Sequence, residues 1–234
     1  MSVKTEVGES AITAAGNTVY VYEGPVRAWH WINVLCIVTL AITGYLIASP
    51  LPSVGGEASD HFMMGYIRFA HFSAGYIFAI GLLVRLYWAF AGNHHARQLF
   101  MLPVTDKAWW AGMLQEIRWY AFLEKYPKKY VGHNPLGHLF MFVAITLGGT
   151  FMIVTGFALY GEGAQAGSWS HSLFTSWVIP LFGQSQVVHS WHHLVAWGIV
   201  CFVILHVYTA IREDIMSRQT MISAIISGQR TFRE

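Results

Sequence analysis

Twelve histidines stand in a chain of 234 residues, and four of them, His30, His71, His192 and His206, fall at the ends of long apolar stretches. An ionisable side chain in hydrocarbon is costly, so each is a functional candidate by default. Neutral imidazole offers a lone pair to a metal, and two imidazoles on facing helices suit the two axial positions of a haem iron. His192 and His206 are 14 residues apart. On a helix rising about 1.5 Å and turning about 100° per residue, that spacing means ~21 Å of height and ~40° of drift. The two therefore share one face at two levels. His193 lies about 140° around the helix from His206 and is not assigned, although its place beside His192 leaves open which of the two would bind. A single membrane histidine is as often a packing or hydrogen-bonding residue; four at matched depths carry the haem reading together.

Arginine is the natural partner of the haem propionates, since its fixed planar fork matches a carboxylate. Arg27 precedes His30 and Arg68 precedes His71 by the same spacing, in the segments Arg27-Ala-Trp-His30 and Arg68-Phe-Ala-His71. Arg85 follows His71 by 14 residues and so shares its face at the other haem level. All three are candidate propionate partners. Snorkelling to lipid headgroups explains Arg27 and Arg68 as well, and Arg85 less readily.

The elements that must position these groups are four stretches long enough to cross ~30 Å of hydrocarbon, near Trp31 to Ser49, Phe69 to Ala91, Leu136 to Tyr160 and Trp191 to Ile211. The composition agrees. Hydrophobic residues make up 55% and charged residues 11% of the chain, against about 25% charged in an average soluble domain, and mean hydropathy is +0.44. A water-soluble domain is excluded. The net charge of +2 comes without a basic stripe, which excludes a nucleic-acid binder. The expected fold class is all-α: a four-transmembrane-helix bundle with a cytoplasmic amphipathic helix between helices 2 and 3.

Connections 50–65 and 161–190 hold no Lys or Arg, whereas the N-terminal segment, connection 92–135 and the C-terminus hold nearly all of them. By the positive-inside rule both termini face the cytoplasm. That topology puts His30 and His206 at the inner level and His71 and His192 at the outer level, so the pairs are fixed: His30 with His206, His71 with His192. Residues 1–24 read as a mobile cytoplasmic tail without the features of a cleavable signal peptide, 25–215 as the di-haem membrane domain, and 216–234 as a cytoplasmic C-terminal segment. In connection 92–135, Trp110, Met113, Leu114, Ile117 and Ala121 recur at helical spacing, with Glu116, Arg118, Glu124 and Lys125 on other faces. This helix either lies on the inner membrane surface or packs under the bundle. Cys36 and Cys201 read as small buried apolar residues, with no Cys-x-x-Cys-His for covalent haem. The third span offers His138 without a partner at its depth. Its Gly148, Gly149 and Gly156 suit close helix contacts or room for a macrocycle.

Several segments resemble the b-type cytochrome subunit of membrane-bound nickel-iron uptake hydrogenases: Pro25-Val-Arg-Ala-Trp-His30-Trp, Gly65-Tyr-Ile-Arg-Phe-Ala-His71-Phe, Gly132-His-Asn-Pro135, Ser190-Trp-His192 and His206-Val-Tyr-Thr-Ala-Ile-Arg-Glu-Asp-Ile215. The likeness runs from about Tyr20 to the C-terminus, and the membrane subunits of formate dehydrogenases are related. It implies a bacterial inner-membrane subunit with two haem b groups. It further implies partners: an iron-sulfur small subunit of a hydrogenase and, through it, a nickel-iron large subunit, with quinone as acceptor. In the formate dehydrogenase relatives an Asn before the third helix and the inner-haem His of the fourth adjoin the quinone. Asn134 and His206 occupy those places here, with Pro135 following Asn134 directly as a departure from their spacing, and His133 is placed to help transfer protons.

The chain itself lacks the thiolates for nickel-iron or iron-sulfur centres, so hydrogen activation would lie in another polypeptide. Other readings remain beside this one. They are the cytochrome b subunit of another dehydrogenase, a free-standing cytochrome b oxidising a small molecule, and a membrane anchor whose haems serve assembly. The aromatic residues Trp169, Phe174, Trp177 and Phe182 of connection 161–190 suit either partner docking or anchoring in the membrane interface.

Overall fold

The computed structural model describes residues 18–52, 55, 57 and 61–232. A short strand β1 (Thr18–Tyr20) leads into α1 (Gly24–Ala48), then α2 (Met63–Ala91), a 3₁₀ segment His94–Leu99 and α3 (Lys107–Tyr120). The helix α4 (Pro135–Glu162) follows, and after it a π-helical turn His171–Thr175, α5 (Ser176–Phe182), α6 (Ser185–Met216), α7 (Met221–Ser227) and β2 (Gln229–Thr231). The helices α1, α2, α4 and α6 are long and apolar enough to cross a membrane. The most apolar window, in α6, has a mean hydropathy of 2.2, yet none of its residues is buried by protein. An apolar surface of that size left uncovered requires lipid around it. The chain is a multi-pass membrane protein of the all-α class expected.

The helix boundaries follow from local chemistry. Pro25 sits in the first turn of α1, where its missing N–H costs nothing, and the Glu23 carbonyl accepts the Arg27 amide. Asp106 caps α3 by accepting the Ala108 amide at 2.8 Å, and Asn134 caps α4 by accepting the Gly137 amide at 2.6 Å. Within α4, Phe142–Gly148 is wound as a π-helix, a form that often marks functional positions.

The structure divides into two compact units. Among the described residues, one comprises 18–30, Arg85–Thr146 and 201–232; the other comprises those of Trp31–Val84 and Leu147–Val200. In the first, β1 and β2 pair antiparallel with Val19 opposite Arg230. Beside them Val21, Tyr22, Val26, Ala96 and Ala224 form a buried core. Most of the segment expected as a tail lies outside the described residues. From Thr18 on it is built into this core, because its carbonyls and apolar side chains find partners near the C-terminus. The Glu23 carboxylate accepts from Trp88 Nε1 at 3.0 Å and from the Asn93 amide at 2.8 Å.

Helix α3 also belongs to this unit and corrects one expectation. Its buried face is Trp109, Gly112, Met113, Glu116 and Trp119, so Met113, expected on the apolar stripe, turns to protein beside Glu116, while Trp110, Leu114 and Ile117 remain exposed. A β-carbon at Gly112 would stand 3.0 Å from Pro135 and from the Tyr130 hydroxyl. Glycine there lets α3 seat against the start of α4. The apolar stripe is left free for a membrane surface.

In the second unit Ala158, Val178 and Val188 form a small core, and Tyr76, Phe157, Trp169 and Phe174 make a chain of edge-on and tilted ring contacts. Trp169 and Phe174 thus pack on other rings, though Trp169, like Trp177, stays about half exposed. Gly149 admits the Phe78 ring, 3.2 Å from where its β-carbon would be. Cys36 is buried as expected, but Cys201 is exposed, since it sits on the uncovered surface of α6.

Candidate functional site

Trp31–Val84 and Leu147–Val200 enclose a cavity of about 900 Å³ lined by His71, His192, Arg68 and mostly apolar side chains. The two imidazoles are held alike. The Thr43 hydroxyl lies 2.9 Å from His71 Nδ1 and donates its hydrogen to the Thr39 carbonyl at 2.6 Å. The Thr155 hydroxyl lies 2.7 Å from His192 Nδ1 and donates to the Phe151 carbonyl at 2.7 Å. A hydroxyl has one hydrogen. Once it is given to the backbone, the oxygen can only accept from Nδ1–H, which leaves the lone pair on Nε2 of both rings. That is the tautomer a metal needs, fixed by a hydrogen bond to the other nitrogen.

Each threonine is followed by glycine for a steric reason. A β-carbon at Gly44 would come within 3.2 Å of His71 Cε1, and one at Gly156 within 3.4 Å of His192 Cε1. The repeated segments Ile42-Thr-Gly-Tyr45 and Val154-Thr-Gly-Phe157 therefore cradle the two rings. Sequence reasoning missed Thr43, Gly44 and Thr155, although the repeated dipeptide in the first and third spans was the available signal. His193, by contrast, accepts from Trp197 Nε1 through its own Nε2 at 3.1 Å, which leaves His192 as the ring aimed by Thr155. Arg68 is exposed, stacks on Phe72 at 5.8 Å and lines the same cavity.

The other unit brings His30 and His206 together, with ring centres 6.5 Å apart and Phe202 stacked on His206. An imidazole nitrogen binds a transition metal at about 2 Å, so one ion between two imidazoles separates their centres by roughly 6 Å. The observed spacing fits. Arg85 is 4% exposed, lies 5.6 Å from the rings of Trp29 and Phe100, and donates through Nη2 to the Ala96 carbonyl at 2.7 Å. Its Nε and Nη1 have no hydrogen-bond partner, so two charged donors await an acceptor such as a carboxylate. Arg27 donates to the Ile226 carbonyl, and its Nε is buried without a partner. No group of three or more His, Cys, Asp or Glu among the described residues could hold a metal ion. The metal-binding potential lies in paired imidazoles.

This unit also carries a polar network. The Asn134 amide donates to Glu213 Oε1 at 3.0 Å, and the Tyr120 hydroxyl donates to the same oxygen at 3.4 Å. His133 Nδ1 stands 3.0 Å from Gln98 Oε1, and its Nε2 stands 3.4 Å from the Tyr22 hydroxyl. Desolvation first, then the positive Arg230, pushes His133 well below the ordinary imidazole range. Arg230 is buried and donates to the carbonyls of Tyr130 and Gly132 and to the Tyr22 hydroxyl, which pins the loop carrying His133 and Asn134. His138 hydrogen-bonds the carbonyls of Gln98 and Met101 and sets its ring against the edge of Trp109.

These features define a class: a helical membrane protein whose spans carry aimed imidazole pairs and buried cationic donors. The profile of the prokaryotic cytochrome b561 family matches residues 21–228, and the chain belongs to that family. It is a b-type cytochrome, and its cofactor is haem b. A protein of Azotobacter chroococcum mcd 1 named as a probable Ni/Fe-hydrogenase B-type cytochrome subunit is 59% identical, over 100% of this chain and 96% of that protein. A Cupriavidus necator protein of the same name is 59% identical over 98% and 94%. An Escherichia coli K12 protein named as a probable Ni/Fe-hydrogenase 1 B-type cytochrome subunit is 51% identical over 92% and 91%.

Proposed function

We propose that this chain is the membrane cytochrome subunit of a nickel-iron hydrogenase, passing electrons from an iron-sulfur small subunit through two b haems to quinone. His71 and His192 would hold one haem and His30 and His206 the other, with Arg68 available at the first and Arg27 and Arg85 at the second for propionates. Bound haem supplies reversible one-electron chemistry at iron, and the chain supplies everything that makes it directional. Thr43 and Thr155 hold the imidazole lone pairs toward the cavity, Gly44 and Gly156 leave room for the rings, and the apolar walls exclude water. Asn134 and His133 would receive the quinone, the amide as a donor and the imidazole as a proton carrier. The membrane would be a bacterial inner membrane, as for the subunit class proposed, and the charge distribution supports both termini in the cytoplasm, since connections 50–65 and 161–190 hold no Lys or Arg.

The observation that carries this reading is the pair of matched threonine–imidazole hydrogen bonds, because nothing in packing alone requires two histidines to present the same tautomer to one cavity. The test is His71→Met in the intact hydrogenase complex. Hydrogen-dependent quinone reduction is expected to disappear while hydrogen-dependent reduction of a soluble dye survives, and haem per chain should fall from about two to about one. Quinone reduction at the parental rate would overturn the reading.

A further inference from the structure

Helix α3 places a carboxyl group where a surface helix should place apolar atoms. Glu116 is 1% exposed, and neither of its carboxyl oxygens has a hydrogen-bond partner. A salt bridge or a set of amide donors is the usual condition for burying a carboxylate, and neither is present. Its surroundings are those of the quinone loop. One turn earlier on the same face, Gly112 abuts Pro135 and Tyr130, and the neighbouring Glu213 takes hydrogen bonds from Asn134 and Tyr120.

We propose that Glu116 is a proton-carrying residue for the quinone loop, exchanging protons with Glu213 and so with the oxygen of a quinone bound at Asn134. This rests on the quinone assignment made above. Quinone reduction takes two electrons, which arrive through the haems, and two protons. For each proton a carboxyl O–H breaks as a quinol O–H forms, and the carboxylate left behind regains its proton from water at the membrane surface.

The charged and titratable groups that act on Glu116 come from three elements. On α3 itself Tyr120 follows one turn later, α6 contributes Glu213, and the connection to α4 contributes Lys128 and Tyr130. The buried cations Arg212, stacked on Trp119 at 4.2 Å, and Arg230, bonded to the Tyr130 carbonyl, belong to the same unit. Burial first and the negative Glu213 second, opposed by Lys128, push Glu116 up to about 8. The same burial and the two carboxylates raise Tyr120 and Tyr130, so neither phenol competes as a donor near neutrality. A carboxyl with this affinity holds its proton at rest and can still release it in turnover.

The experiment compares Glu116→Gln, Glu116→Asp and Asn134→Ser with the parent in the complete hydrogenase complex. Hydrogen-dependent reduction of a short-chain quinone is measured between about pH 6 and about pH 9 and normalised to dye reduction by the same complex. Glu116→Gln is expected to slow quinone reduction about a hundredfold and to erase the fall in rate near pH 8, with Glu116→Asp recovering part of both. An unchanged rate and pH profile in Glu116→Gln would overturn the proposal. Asn134→Ser keeps a helix-capping oxygen and separates the two ideas. If it raises the quinone KM while Glu116→Gln does nothing, only the proton role fails; if it leaves the KM unchanged, the quinone assignment fails. Should Glu116→Gln not assemble, redox-difference infrared spectra of the parent complex decide instead. A carboxyl band that changes on reduction and shifts in heavy water supports the proposal, and the absence of one overturns it.

Discussion

Around His71 and His192 the groups that touch the imidazoles are threonine hydroxyls already committed to the helix backbone, and the cavity is mostly apolar. In the unit of His30 and His206 the buried polar residues include Arg85, Glu116, His138, Arg212, Glu213 and Arg230. Under the function proposed above, both units would pass electrons, and only the unit of His30 and His206 adds buried groups suited to exchanging protons. Passing an electron calls for fixed ligands and dry walls, whereas exchanging protons calls for groups that titrate near neutrality.

That contrast can be broken most decisively at the proposed ligands. His192→Ala should lower hydrogen-dependent quinone reduction by orders of magnitude and remove one haem, read from reduced-minus-oxidised spectra, while His193→Ala should leave both nearly intact. Equal losses from the two would show that Thr155 does not select the ring. The buried arginine comes next. Arg85→Gln removes a cation with two free donors, each worth about 1.5–3 kcal/mol toward a charged partner, so haem should be lost from this variant far more readily on detergent washing than from Arg68→Gln, whose arginine is exposed.

Smaller effects sharpen the comparison. Gly44→Ala should displace His71 by a few tenths of an ångström and lower haem retention, and Gly156→Ala should do less, because its contact is 3.4 Å rather than 3.2 Å. Thr43→Val deletes a hydrogen bond of about 1 kcal/mol. It should shift one haem midpoint by tens of millivolts, about 59 mV being a tenfold change for one electron, with both haems still bound. The other unit should answer to pH instead. Its folded form keeps a proton on Glu116 up to about 8, whereas the unfolded chain releases it in the ordinary carboxylate range. Stability therefore falls as pH rises across that interval, by at most about 1.4 kcal/mol per pH unit from this group. Thermal unfolding of Glu116→Gln should show a flatter slope; an unchanged slope would assign it to other groups.

Much of this was legible beforehand because membrane spans are written in composition. Long apolar runs can only be lipid-facing helices, and helical periodicity then fixes which histidines share a face. The burial of Glu116 was not legible for an equally physical reason. Periodicity identified an apolar stripe on α3 and set Glu116 on another face, but only the packing of α3 against the start of α4 encloses that face. The strand pairing of Thr18–Tyr20 with Gln229–Thr231 was likewise hidden, since β-pairing joins residues whose separation along the chain leaves no local signal.

By itself the sequence determined the four spans, the histidines on their faces and the absence of thiolates for any metal cluster, all consequences of residue type and helical repeat. Only the tertiary structure decided which nitrogen of His71 and His192 carries the hydrogen, why Gly44 and Gly156 stand beside them, and that Glu116 is enclosed. Those depend on distances between elements, and a hydroxyl's one hydrogen or a missing β-carbon has meaning only when its neighbour is in place.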